Sequence, residues 1–296
     1  MCSSDLGEPG EERDAQGLPN RYPSGLERLN CVRDFVTAGR ARRCKRSERD
    51  VRVHRCDDAT MRAGTLGAVG GAGAAALWSA PAPAPFVPVL ARTLGIRTRL
   101  DGGRGVAITF DDGPHPEGTP AVLAELERLG VTATFFLTGE QVERFPSVAA
   151  AIAGAGHKIG LHGYRHRLLL LRGPRAVDQD LDRAFAAVED STAASPVWFR
   201  PPYGVFSLAS LALVRRRGWK PLLWSQWGCD WRARETPASI ARRATASLSA
   251  GDVVLLHDAD HYSSAGSWRR TVAALPAIVD AALALGEPLV SVTHST

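Results

Sequence analysis

Ile108-Thr109-Phe110-Asp111-Asp112-Gly113-Pro114 is an apolar strand that delivers two adjacent carboxylates into a Gly-Pro turn. Along a strand successive side chains point to opposite faces, but at its last residue both can reach one cavity if the chain turns at once. Two like charges so close coexist when a cation or a shared proton stands between them, which is the setting of a metal ligand beside a general base. Taken alone, the stretch reads equally well as a solvated Asp-Asp-Gly turn, because Asp and Gly are ordinary turn residues.

Outward from this strand the chain alternates short apolar runs with helical patterns. Strands are expected at 106–110, 134–137, 158–161, 197–199, 220–224, 253–256 and 289–292. Helices are expected at 120–129, up to 155, and at 174–194, 208–217, 237–248 and 271–285, the third of these with Asp178, Leu181, Phe185 and Val188 at helical spacing. Such an order argues for an α/β fold of parallel strands covered by helices, with function at the strand carboxyl ends. Periodicity alone does not separate a barrel from an open doubly wound sheet.

Reactive side chains recur at those ends. His162-Gly163-Tyr164-Arg165-His166 follows the run at 158–161, and a His pair at this spacing can bind one ion. Two His and one Asp, with open positions for water, suit a catalytic divalent metal. Arg200-Pro201-Pro202-Tyr203-Gly204 places an arginine at a strand end before a turn fixed by two prolines. Cys229-Asp230-Trp231 offers a carboxylate beside aromatic surface, and Leu255-Leu256-His257-Asp258 ends an apolar strand in a histidine. Each has a plainer reading as a core tryptophan, a surface arginine or a strand-end histidine.

Taken in order, Thr-Phe-Asp-Asp-Gly, His-x3-His, Arg-x-Pro-Tyr, Asp-Trp and Leu-Leu-His-Asp resemble the polysaccharide deacetylase family with its NodB-homology domain, of carbohydrate esterase type. The resemblance covers the chain from about Val106 to the C-terminus. It implies an irregular (β/α) barrel with fewer than eight regular strands. It also implies metal-dependent removal of acetyl groups from N-acetylated glycan, peptidoglycan or a chitin-like oligosaccharide. Carried over residue by residue, Asp111 is the general base, Asp112, His162 and His166 hold the metal, and Arg200 orients Asp111. The Tyr203 amide helps bind the oxyanion, His257 is the general acid, and Tyr203, Trp231, Leu255 and Asp230 face the substrate. The expected cofactor is Zn2+, and Co2+, Mn2+ or Ni2+ suit the same ligands. This chain departs from the family at two positions. Gly163 stands where Ser or Thr is common, which predicts looser ligand geometry, and Trp227 stands where many members carry the acid that pairs with the catalytic His, leaving only Asp230 and an open question of whether it reaches His257.

The chemistry follows from the residue types. A divalent metal polarises an acyl oxygen, a carboxylate takes a proton from the attacking water, and an amine leaves only when an acid such as His257 protonates it. Hydrolysis of another non-peptide carbon-nitrogen bond or of an O-acetyl ester is the alternative within enzymes. A glycan-binding inactive homologue is the alternative outside them.

The first hundred residues differ in character. Residues 1–60 are rich in Arg, Asp, Glu and Gly and read as a disordered leader. The cluster Arg40-Ala41-Arg42-Arg43-Cys44-Lys45-Arg46 is offset by Glu48, Asp50, Asp57 and Asp58, so no nucleic-acid partner is expected. Residues 61–85 have the layout of a secretory signal, anchor or linker, and a start of translation at Met61 is one explanation for such a signal at that position. Residues 86–104 connect to a catalytic domain at 105–296. The expected location is outside the cell or attached to its envelope, with membrane or cell-wall association through the N-terminal segment. A net charge of +5 and a pI near 9.2 suit work near an anionic polymer. Of five cysteines only Cys229 falls in the catalytic region, so no disulfide is expected within it.

Overall fold

A parallel sheet of seven strands, in the order β5-β4-β3-β2-β1-β7-β6, curls into an irregular (β/α) half-barrel. The computed structural model describes residues 73–292. The leader at 1–60 and the signal-like stretch up to residue 72 lie outside the described residues. The strands are β1 Ala107–Asp111, β2 Thr134–Leu137, β3 Lys158–Leu161, β4 Trp198–Phe199, β5 Lys220–Pro221, β6 Gln226–Trp227 and β7 Val253–His257. The helices are α1 Pro88–Thr93, α2 Gly118–Leu129, α3 Gly139–Arg144, α4 Pro146–Gly154, α5 Pro174–Thr192, α6 Leu208–Arg216, α7 Pro237–Thr245 and α8 Ser267–Leu283. Among the described residues no helix is long and apolar enough to cross a membrane.

Every residue of β1, β2 and β7 is buried, which is why these segments read as continuous apolar runs rather than alternating ones. The helices begin where local chemistry starts them. Proline occupies the first turn of α4, α5 and α7, where its missing N–H has no helical partner to lose. Reciprocal caps, Ser207 with Ser210 and Thr236 with Ser239, open α6 and α7. Helix α5 turns Val177, Leu181, Ala184 and Val188 to the core.

Two expected strands are not formed as written. The run at 220–224 is cut short to β5, and β6 begins beyond it, because the chain leaves β4 after Leu222 and joins β7 at Ser225: Leu222 N–H donates to Phe199 and Ser225 N–H to Val253. Between them, the Leu222 and Leu223 carbonyls accept from the Arg200 side chain instead of from a neighbouring strand. The run at 289–292 makes a single bridge, Leu289 to Val106, and the threonine side chain of Thr134 then takes the Val292 amide. The connecting segment lies over the divided strand, with Arg97 bridging to Leu222 and Arg99 to Asp252. Cys229 is disulfide-bonded and is therefore no thiolate nucleophile.

Candidate active site

Strand register sets the site. Asp111 on β1 lies opposite His257 on β7, and Thr109 opposite Leu255, so the base candidate and the acid candidate end neighbouring strands at one level. Asp112, one residue beyond β1, has φ 79°, a left-handed conformation that an L-residue adopts at a cost of about 1–2 kcal/mol. That twist brings its carboxylate round toward β3. Asp112 Oδ1 stands 3.4 Å from His162 Nε2 and 3.3 Å from His166 Nε2.

These three ligand atoms are buried and lie within 4.8 Å of one another. Asp112 Oδ1 has no hydrogen-bond partner among the described residues, an arrangement that burial makes costly unless a cation supplies one. His162 Nδ1 faces the Arg200 carbonyl at 2.8 Å, which places the proton on Nδ1 and the lone pair on Nε2, toward Asp112. The donor set fits a divalent metal. Burial alone would raise the Asp112 pKa, but His166, His162 and His257 around it hold it well below the usual carboxylate range.

Asp111 is held from the other side. Arg200, with 0% exposure, donates from one terminal nitrogen to Asp111 Oδ1 at 2.7 Å and to Thr109 Oγ1 at 2.9 Å. Its remaining nitrogens hold the Leu222 and Leu223 carbonyls at 3.3 and 2.9 Å, and its plane lies 4.1 Å from the Phe136 ring. Five donors in a fixed fork thus bind a carboxylate, a hydroxyl and two carbonyls at once.

Asp230 reaches His257, settling the question raised by Trp227. Asp230 Oδ1 lies 2.8 Å from His257 Nδ1, while Oδ2 accepts from the His257 amide at 2.7 Å and from Thr271 at 2.8 Å. With 0% exposure and both oxygens engaged, Asp230 stands beneath the imidazole rather than facing a ligand. Burial would push the His257 imidazole down, but the Asp230 carboxylate outweighs it, and the imidazolium is held up to about 9. Trp231 meets the His257 ring edge-on at 5.4 Å, and Leu255 is buried two residues earlier on the same strand face. Tyr203, half-buried with φ 62°, places its ring 4.4 Å from that of His166.

The residues at Gly163 answer the expectation of a looser loop. Gly163 has φ 79°, and the next amide, Tyr164 N–H, donates to Asp180 at 2.7 Å, so a carboxylate from α5 braces the turn. A β-carbon at Gly163 would lie 3.3 Å from Asp180 Oδ2. Gly163→Ser, which restores the residue common in the family, is therefore expected to lower the unfolding free energy by about 1–2 kcal/mol. Denaturant titration reads this directly, and undiminished stability would show that the turn does not need its left-handed glycine.

Sequence reading missed several partners. Asp180 left a signal, a charged residue between Val177 and Leu181 on the buried face of α5. Asp258 was quoted in its motif without a role; it is fully buried, bonded by Thr119, and pushed by burial up to about 7. Tyr262 stacks on His166 at 4.4 Å, with no local pattern to announce it. A second trio, His115, Asp260 and His261, also lies within 4.8 Å. Here His115 Nδ1 accepts from the amides of Glu117 and Gly118, so its proton sits on Nε2, 3.1 Å from Asp260. His115 has no lone pair left for a metal and serves to start α2.

Fold and rim chemistry together define a hydrolase built on a (β/α) barrel. The polysaccharide deacetylase family model matches residues 99–222. A chitooligosaccharide deacetylase of Azorhizobium caulinodans is 34% identical over 188 residues, 61% of this chain and 89% of the relative. A peptidoglycan-N-acetylglucosamine deacetylase of Bacillus cereus is 35% identical over 176 residues, 59% of this chain and 79% of the relative. A solved peptidoglycan N-acetylglucosamine deacetylase matches with a TM-score of 0.61 and 28% identity, over 66% of this chain and 89% of its own. A family 4 carbohydrate esterase from Streptomyces lividans, in complex with acetate, matches with a TM-score of 0.56 and 28% identity, over 63% and 91%. The chain belongs to the polysaccharide deacetylase family.

Proposed function

We propose that the protein removes acetyl groups from the amino sugars of N-acetylated glycan, peptidoglycan or a chitin-like oligosaccharide, releasing acetate. The observation that carries this reading is the meeting, at one barrel rim, of Asp112, His162 and His166 with the Arg200–Asp111 and Asp230–His257 pairs. Asp112, His162 and His166 would hold a divalent metal, Zn2+ first among those suited to two imidazoles and a carboxylate. When bound, it supplies Lewis acidity at the acyl oxygen and lowers the pKa of a water.

The chain's own residues do the rest. Asp111, fixed by Arg200, accepts the proton of the attacking water. The Tyr203 amide donates to the oxyanion, and Trp231 and Leu255 wall the acetyl group. His257, kept charged by Asp230, delivers a proton to the departing amine, which leaves poorly without one. A built acid of this kind favours an amide substrate, since an acetyl ester departs with less help. The net charge of +5 suits an anionic cell-surface substrate, and the protein works outside the cell or attached to the envelope, with its N-terminal segment as the attachment.

The test is acetate release by the full chain from N-acetylglucosamine oligomers and from peptidoglycan, before and after chelation and with Zn2+ restored. Release from an amide substrate that disappears on chelation and returns with Zn2+ is expected. Release confined to O-acetyl esters would move the reading to an esterase, and none from any glycan by metal-loaded protein would leave a binding role.

A further inference from the structure

Tyr203 and Gly204 are consecutive left-handed residues, φ 62° and 70°, in the turn that leaves β4. For tyrosine this conformation costs about 1–2 kcal/mol and persists only where surroundings enforce it. From within the domain, Trp224 crowds the turn: its Cη2 lies 2.6 Å from where a β-carbon on Gly204 would stand. Pro85 Cγ lies 3.2 Å from the same point.

Pro85 belongs to a segment that sequence reading left as signal or linker. In the structure residues 78–86 lie on the barrel rim. Trp78 donates from its indole nitrogen to the Leu170 carbonyl at 2.9 Å, in the loop that follows His166. Pro81 is buried, and Ala84 is 1% exposed. Successive turns, Ala84 N–H to Pro81 at 3.0 Å and Phe86 N–H to Pro83 at 2.9 Å, carry the chain to Phe86, whose ring lies 6.0 Å from that of Trp227. Trp227 in turn packs 5.6 Å from Trp224. The segment therefore touches the loops after β3 and β4 and the end of β6. Three prolines in five residues restrict it before it docks, which reduces the entropy lost on ordering.

We propose that residues 78–86 form a strap that holds the Tyr203 turn in its left-handed conformation, with Pro85 as the positioning residue; this rests on the reading of the Tyr203 amide as an oxyanion donor. With Trp224 and Pro85 both close against Gly204, the strap keeps the turn from relaxing toward right-handed backbone. The Tyr203 amide then keeps one direction through the reaction.

The experiment compares full-chain wild type, Pro85→Ala, Pro85→Val and Trp78→Phe. It reads kcat and KM on an N-acetyl substrate, the thermal midpoint, and hydrogen exchange over residues 199–206. Pro85→Ala is expected to lower kcat about tenfold with KM nearly unchanged, since slight misplacement of one donor costs a fraction of the 100- to 1,000-fold lost on removing it. Exchange over 199–206 is expected to quicken, the midpoint to hold, and Pro85→Val, which keeps γ-carbons, to recover most of kcat. Trp78→Phe, which keeps a ring but loses the donor, is expected to act in the same direction. Unchanged exchange and kcat in both Pro85→Ala and Trp78→Phe would overturn the strap. A falling midpoint, with kcat intact in the molecules still folded, would reduce it to a structural element and also overturn the proposal. Quickened exchange in a protein that releases no acetate even as wild type would uphold the strap and defeat the deacetylase reading instead.

Discussion

If Asp111 is the general base, Asp111→Asn is expected to lower kcat on an N-acetyl glycan by about 1,000-fold, within the range for such a group, while the variant takes up added Zn2+ as wild type does. The choice of asparagine matters. Arg200 has no exposure to solvent, and its nearest charge is Asp111 Oδ1 at 2.7 Å. Alanine would strip a buried guanidinium of its counter-charge at a cost of about 3–5 kcal/mol, and lost activity would then be confounded with lost fold. Asparagine keeps an oxygen for the guanidinium to bind and removes only the basicity. Acetate release together with zinc content per chain checks the result, and activity within tenfold of wild type would take the base role away from Asp111.

Asp230→Asn is expected to reduce amide hydrolysis about 100-fold and to leave an acetyl ester much less affected. Asn retains a partner for the His257 amide and Thr271, but no longer a charge beside Nδ1. Burial, which opposes the imidazolium, then prevails, and the His257 pKa falls from about 9. The sign is fixed by the role. A general acid works while protonated, so its contribution is present below its pKa and lost as pH rises through it. Lowering that pKa moves the alkaline limb of the pH–rate profile to lower pH, toward neutrality. A profile whose alkaline limb stays in place would show that His257 is not the acid that governs it.

The parts legible in the sequence were those encoded locally. Strands β2 and β3 have the boundaries that apolar patterning gave them, 134–137 and 158–161, because after the first residue of each, Thr134 and Lys158, every position is buried and apolar. The paired carboxylates, paired imidazoles, arginine and strand-end histidine were legible for a related reason: each interrupts an apolar run at its carboxyl end, where a barrel opens. What escaped notice depends on residues far apart. Asp230 and His257 are 27 positions apart, and nothing local says that a carboxylate after a glycine-cysteine turn folds beneath an imidazole. The early end of the strand expected at 220–224 is invisible without Arg200, 22 positions before the first carbonyl it holds. Left-handed backbone at Asp112 and Tyr203 was equally hidden, since neither residue type announces it.

Arg200 joins two duties that a chain ordinarily keeps separate. One end of its guanidinium aims a reacting carboxylate, and the other holds the carbonyls where the curled sheet changes partners. Mutational drift therefore meets unequal resistance along this rim. A lineage released from selection for activity is expected to lose His166 more readily than Arg200 or the Asp111 carboxylate that neutralises it, because those two remain under selection for folding. The arginine is therefore expected to outlast the imidazoles, so that its presence in a descendant speaks for a folded barrel and not by itself for catalysis.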